Sequence, residues 1–129
     1  MGCDDKHEPT SEFHKDVTPD EPDGEMTELY DWWADQATAE SMGAIPKARE
    51  YGSRDLMEMG GTLMRIAGQE VDDGAAVEVG CWFYAVGKMA RWTAAIERGE
   101  LVSDDTLHDL SVYIKMVQRV RACGGWPNG

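Results

Sequence analysis

Between Asp73 and Arg98 the chain reads as one long helix, and this segment restricts the fold more than any other feature. At 100° per residue, Val79, Trp82, Phe83, Val86, Met89, Ala90 and Thr93 fall on one arc, and Cys81, Tyr84, Lys88 and Arg91 fall on the opposite arc. The helix therefore has a dry face and a mixed, basic face. Gly99 supplies the stop, and Arg98 stands in the last turn, where the helix dipole favours a cation.

The same period recurs elsewhere, and no stretch alternates apolar and polar residues long enough to make a strand. A first helix is expected over Glu25 to Met42, with Leu29, Trp32, Trp33 and Ala37 on one face and Gly43 as its end. A short second helix or turn follows from Ala44 to Glu50 around Pro46, closed by Tyr51 and Gly52. Ser53 is the expected cap of a third helix, Arg54 to Ala67, whose Leu56, Met59, Leu63 and Ile66 repeat at helical spacing. Gly60 and Gly61 inside it either permit close helix packing or mark a bend, at a cost of about 1 kcal/mol per glycine relative to alanine. Ser103 caps the last helix, which has Asp104 and Asp105 in its first turn and ends near Ala122, before Gly124, Gly125 and Pro127. That helix carries two stripes, one of Leu107, Leu110, Ile114 and Val117, the other of Asp105, Asp109, Val112, Tyr113, Met116 and Val120, so it is expected to be covered on both sides. The expectation is an all-α bundle of about five helices over residues 25–129. Tryptophans 32, 33 and 82 and Phe83 are read as core, and apolar faces beyond what one small bundle buries point to a homo-oligomer.

Residues 1–24 carry eight acids against two bases, with three prolines and only Phe13 and Val17 as sizeable apolar side chains. Such a segment cannot offset its ordering entropy by burial, so it is expected to be a disordered acidic arm, with His7 and His14 solvated. The whole chain has 12 Lys and Arg against 25 Asp and Glu, a formal charge of −13. Nucleic-acid binding is disfavoured by that balance, because its affinity comes from Lys and Arg displacing counterions. An acidic chain can instead hold cations, meet a basic partner, or imitate the charge of DNA. Cys3, Cys81 and Cys123 show no CxxC spacing, which argues against a disulfide framework or zinc cluster and for a reducing, cytoplasmic setting. Cys81, between Gly80 and Trp82, is read as a small buried filler. Met1 to Asp5 shows no basic region followed by an apolar one, so no secretory signal is expected there, and no apolar run approaches the roughly 20 residues of a membrane span.

The chemistry-bearing residues gather on the last two helices. Asp105 and Asp109 lie one turn apart above Tyr113, Met116 and Val120, and two like charges beside an apolar surface call for a cation or a basic side chain between them. Mg²⁺ fits because it takes oxygen ligands and keeps waters that meet phosphate. The alternative is that Asp105 favours the helix N-terminus while Asp109 pairs with Arg91 or Lys88. Lys88 and Arg91 share a face with Tyr84, and across a helical hairpin they either receive a polyphosphate or form a stripe of snorkelling surface cations. His108 lies about 100° from Asp109 around the helix and is read as exposed, not as a general base. Among the aromatics, Tyr84, Trp92 and Trp126 are candidates to stack on a base.

Tyr51-Gly52, then Lys88-Met89-Ala90-Arg91, then Asp105-x-x-x-Asp109-x-x-x-Tyr113 together resemble the small phage-borne MazG-like proteins of the all-α nucleotide pyrophosphohydrolase group. The likeness covers about residues 44–121. It implies an oligomeric helical bundle that holds Mg²⁺ on acidic side chains and converts a nucleoside triphosphate to monophosphate and pyrophosphate. Matched residue by residue, it implies Asp105 and Asp109 as catalytic metal-holding acids, Glu78 as a further metal ligand, and Lys88, Arg91, Tyr84 and Tyr113 as substrate-contacting groups. The wider group has ExxE on the earlier helix and ExxD on the later one. Here Cys81 occupies the second of the four positions and Thr106 the third, with Glu50, Asp55 and Glu58 as possible substitutes. The resemblance thus admits a member that binds nucleotides without hydrolysing them. A different class of reading is a non-enzymatic acidic interaction protein of a bacteriophage, a DNA mimic or an inhibitor of a host or defence protein in the host cytoplasm.

Overall fold

A computed structural model describes residues 24–126, with the side chains of residues 49–51 excepted. The acidic arm expected over 1–24 lies outside the described residues apart from Gly24, which opens the first helix. Four helices follow: α1 (Gly24–Tyr51), α2 (Arg54–Ile66), α3 (Asp73–Glu97) and α4 (Asp104–Cys123). No strand occurs among the described residues, so the class is all-α. No helix of the described chain is long and apolar enough to cross a membrane.

Among the described residues the count is four and not about five, because the expected first and second helices are one. The backbone of α1 runs on through Gly43 and Pro46. Gly43 is not in a left-handed conformation, so it interrupts nothing and only forgoes the roughly 1 kcal/mol that alanine would contribute. Pro46 removes a single i to i−4 hydrogen bond. Two compact units divide between Met42 and Gly43. In the first, Trp32 and Trp33 meet edge to face at 6.3 Å and both are exposed, against their reading as core.

In the second unit α3 packs on α2 and on α4. Asp72 caps α3 by accepting a hydrogen bond from the Ala75 amide at 3.0 Å. Ser103 caps α4 as expected, accepting from the Thr106 amide. Ser53 stands at the N-cap position of α2, but its hydroxyl caps nothing; it is buried and donates to the Trp126 carbonyl at 3.5 Å. Gly124 closes α4 at φ +83°, a left-handed conformation that favours glycine. The core is a cluster of Leu56, Val77, Cys81, Met116 and Val120, with Met57, Val112, Tyr113, Val117 and Trp126 packed against it.

The two glycines of α2 have different roles. A Cβ on Gly60 would overlap the carbonyl of Ala76, and one on Gly80 would overlap the carbonyl of Leu56. The backbones of α2 and α3 therefore cross in direct contact, and the close-packing alternative for Gly60 holds. Gly61 has only ordinary contact distances around it, with Val71 Cγ1 at 3.5 Å.

Which faces are buried inverts the sequence expectation. On α3 the buried positions are Ala76, Val77, Gly80, Cys81 and Ala95, while Trp82, Phe83, Val86 and Met89 of the dry face are exposed. On α4 the stripe of Val112, Tyr113, Met116 and Val120 packs into the core, joined by Val117 of the other stripe, whereas Leu107 and Ile114 of that other stripe are exposed. Small residues decide this: Gly80 and Ala76 let α2 approach α3 more closely than the bulky face would. Cys81 is buried as expected and free, while Cys123 is disulfide-bonded, which runs against the reading of a reducing setting without a disulfide framework.

Candidate functional site

Helices α3 and α4 run antiparallel, and three pairs mark their register. Going up α3, Glu78 meets Arg121, Tyr84 meets Tyr113, and Lys88 meets Asp109. The Glu78 carboxylate accepts two hydrogen bonds from Arg121, from Nε at 3.0 Å and Nη2 at 2.7 Å, in the planar geometry that a guanidinium offers. That hydrogen bonding holds the Glu78 carboxyl below its ordinary range despite some desolvation. The Tyr84 and Tyr113 rings stack, with centroids 6.2 Å apart and an interplanar angle of 14°. Lys88 Nζ lies 2.9 Å from Asp109 Oδ2, with the two side chains 20% and 40% exposed.

A cavity of about 340 Å³ opens beside this register, within the second unit. Tyr84, Tyr113 and Trp126 form its aromatic wall, and Leu56, Val112 and Met116 extend the apolar surface. Four groups bring polarity: Lys47 from the last turns of α1, Asp55 from the first turn of α2, and His108 and Asp109 from α4. Arg119 donates to the Gly125 carbonyl, which ties the segment carrying Trp126 back onto α4. Tyr113 is half-buried, and its hydroxyl is pushed above the usual phenol range by burial first and then by the neighbouring Asp109 charge. It enters the cavity as a neutral hydrogen-bonding group.

The structure thus brings Asp109, Tyr84 and Tyr113 to one cavity with Lys88 directly behind Asp109. Asp105 stands one turn before Asp109, exposed, and Arg91 is exposed with no ion-pair partner among the described residues. Glu78 is elsewhere. It lies ten residues from Lys88 along α3, about 15 Å at the helical rise, and is engaged by Arg121. One ion cannot bridge Glu78 and Asp109. Among the described residues no group of three or more His, Cys, Asp or Glu is gathered in a way that could hold a metal ion. Glu50 has no described side chain, and Glu58 is paired with Arg54 at 3.8 Å.

Sequence reasoning missed Lys47 altogether and set His108 aside. His108 is exposed, as expected, but it lines the cavity beside Asp109 because the mouth spans more of the α4 circumference than one stripe. No spacing signal could have placed Lys47, which reaches the cavity only through the fold. No family model matches the chain, and neither a curated protein nor a solved structure matches it.

Proposed function

We propose that this cavity binds a nucleotide, and that the chain is a nucleotide-binding relative of the pyrophosphohydrolase group it resembles. What carries the reading is the juxtaposition of an aromatic and apolar wall with Lys47, Asp55, His108 and Asp109 at a single opening, Lys88 standing behind Asp109 as its ion-pair partner. A planar base gains from contact with Tyr84, Tyr113 or Trp126, and phosphate oxygens gain from cationic donors at the rim. The volume lies in the range of small-molecule sites.

The described residues do not supply the four-acid metal constellation of the wider group, and Asp109 is already neutralised by Lys88. The proposal therefore rests on the chain's own side chains, with Mg²⁺ as the ion that accompanies a triphosphate, Asp55 and Asp109 as the acids that line the cavity, and Asp105 one turn before Asp109. Arg91 is the spare cation on the same helix as Lys88. Release of pyrophosphate is the finer form of the proposal.

Calorimetric titration with the common nucleoside triphosphates, with and without Mg²⁺, tests the reading, paired with a pyrophosphate-release assay. Binding that Lys47→Met and Tyr113→Ala each weaken by about tenfold, or 1.4 kcal/mol, supports it. Absence of binding for every nucleotide refutes it. Binding with pyrophosphate release that Asp109→Asn abolishes establishes the hydrolase, and binding without release establishes the non-hydrolysing member.

The exposed apolar faces and the charge of −13 favour a second reading, an acidic interaction protein. Removal of residues 1–24 separates the two. Nucleotide binding survives the truncation, whereas binding to a basic partner surface falls and is salt-sensitive.

A further inference from the structure

The short segment after α4 is held in place by side chains that have no local reason to hold it. Asp72 and Ser103 each cap the helix they precede. Ser53 stands in the same position before α2 and forgoes that contact. It is 3% exposed, and its hydroxyl donates instead to the Trp126 carbonyl, which is 73 residues away along the chain. A residue that breaks a local rule marks a place where the tertiary structure uses it for something else. At the other end of the segment Gly124, at φ +83°, turns the chain out of α4, and Arg119 donates to the Gly125 carbonyl. Two successive carbonyls are thus held, one from the start of α2 and one from α4. The side chain they deliver is Trp126, half-buried against the core cluster and part of the cavity lining.

The three aromatic residues of the cavity are not equivalent. Tyr84 and Tyr113 stack on each other, and Tyr84 also meets Phe83 edge to face at 5.4 Å. Trp126 makes no ring contact among the described residues. Given the nucleotide reading, on which this rests, we infer that the base stacks on Trp126 and that the site therefore prefers purine to pyrimidine nucleotides, with Arg119 and Ser53 as the residues that position the indole. An indole offers two fused rings, and stacking strengthens with the π surface in contact, so a bicyclic base gains more from it than a monocyclic one. Leu56, Val112 and Met116 continue the apolar surface of the cavity, so the second ring of a purine also leaves water. Arg119 and Ser53 are not among the lining residues, and both act through Trp126.

Calorimetric titration of the full chain with ATP, GTP, CTP and UTP, each with Mg²⁺, tests this, with helicity followed by circular dichroism. The wild type binds the two purine nucleotides several-fold more tightly than the two pyrimidine ones. Trp126→Leu keeps apolar bulk without a flat face, and it loses about tenfold in affinity for purines and less for pyrimidines, so the preference collapses. Trp126→Phe retains part of it. Arg119→Met narrows the preference at unchanged helicity, an effect that a merely structural role for Arg119 does not produce, and it decides the matter if Trp126→Leu loses helicity. Tyr84→Leu lowers the affinity for all four alike. Equal affinity for purines and pyrimidines in the wild type, a preference that Trp126→Leu or Arg119→Met leaves intact, or one that Tyr84→Leu abolishes overturns the assignment of Trp126 while nucleotide binding stands. Binding of none of the four removes the nucleotide reading itself, and this assignment with it.

Discussion

Gly60 of α2 rests directly on the backbone of Ala76 in α3, with no room for a side chain between them. Its mirror contact, Gly80 against Leu56, lies one turn further along α3, so two glycines on opposite helices make one crossing. The obstruction in both cases is a backbone carbonyl, which cannot rotate aside as a flexible side chain would. Gly60→Ala and Gly80→Ala are each expected to destabilise the fold by about 3 kcal/mol or more, at the upper end of overpacking costs. Gly61→Ala, one residue away, is expected to be neutral or to stabilise by up to about 1 kcal/mol through helix propensity. Urea denaturation of the three variants checks the opposite signs, and equal losses at residues 60 and 61 would contradict the close crossing.

The Glu78 and Arg121 pair makes stability depend on acid. Its folded carboxyl is held below the ordinary value, chiefly by the Arg121 hydrogen bonds, so the stabilisation is present above the unfolded carboxylate range and is lost as pH falls through the lower, folded value. The wild type should lose melting temperature more steeply than Glu78→Gln as pH falls below about 4.3. Arg121 is largely exposed and Glu78 is 39% exposed, so the difference is small and shrinks in high salt. Parallel acid profiles for the two proteins would show that the pair contributes nothing.

Asp109→Asn leaves Lys88 without its carboxylate in a setting where only a fifth of the lysine side chain is exposed. The expected loss is about 1 kcal/mol, near the top of the range for partly exposed pairs. Lys88→Met combined with Asp109→Asn should cost less than the two single changes added together, because neither partner is then left alone. Additive losses in a thermal-denaturation cycle would mean that the 2.9 Å contact carries no energy.

Cys81 is 1% exposed, and burial, assisted by the Glu78 charge, pushes its thiol up to about 11. The thiolate is the nucleophile, so alkylation at pH 8 should leave the Cys81 peptide unmodified in the folded protein and modify it fully in urea. A raised thiol value also means that its contribution to stability is intact below the unfolded value near 9 and declines as pH rises toward 11. Rapid native alkylation of Cys81, read by mass mapping, would place it outside the core.

Much of this fold is legible in the chain, and the reason is local. Helical periodicity, Ser103 before two acids, and the glycines after α3 and α4 act over a few residues, so α2, α3 and α4 appear within a residue or two of their expected limits. Gly43 and Pro46 misled because each weakens a helix without having to end it. At the site, the Lys88 and Asp109 meeting was legible as one of two alternatives, since both residues sit on the mixed faces of consecutive helices. Lys47, His108 and the separation of Glu78 from Asp109 were not, because they depend on how far one helix slides along another.

The amino-acid sequence by itself determined that the chain is helical, strongly acidic, and equipped with more apolar surface than one small bundle needs. Only the tertiary structure decided which apolar surface is inside. Periodicity reports that a helix has two unlike faces, but burial goes to the face that lets the backbones come closest. On α3 that face is the one with Ala76, Gly80 and Cys81, and Trp82, Val86 and Met89 are left facing outward.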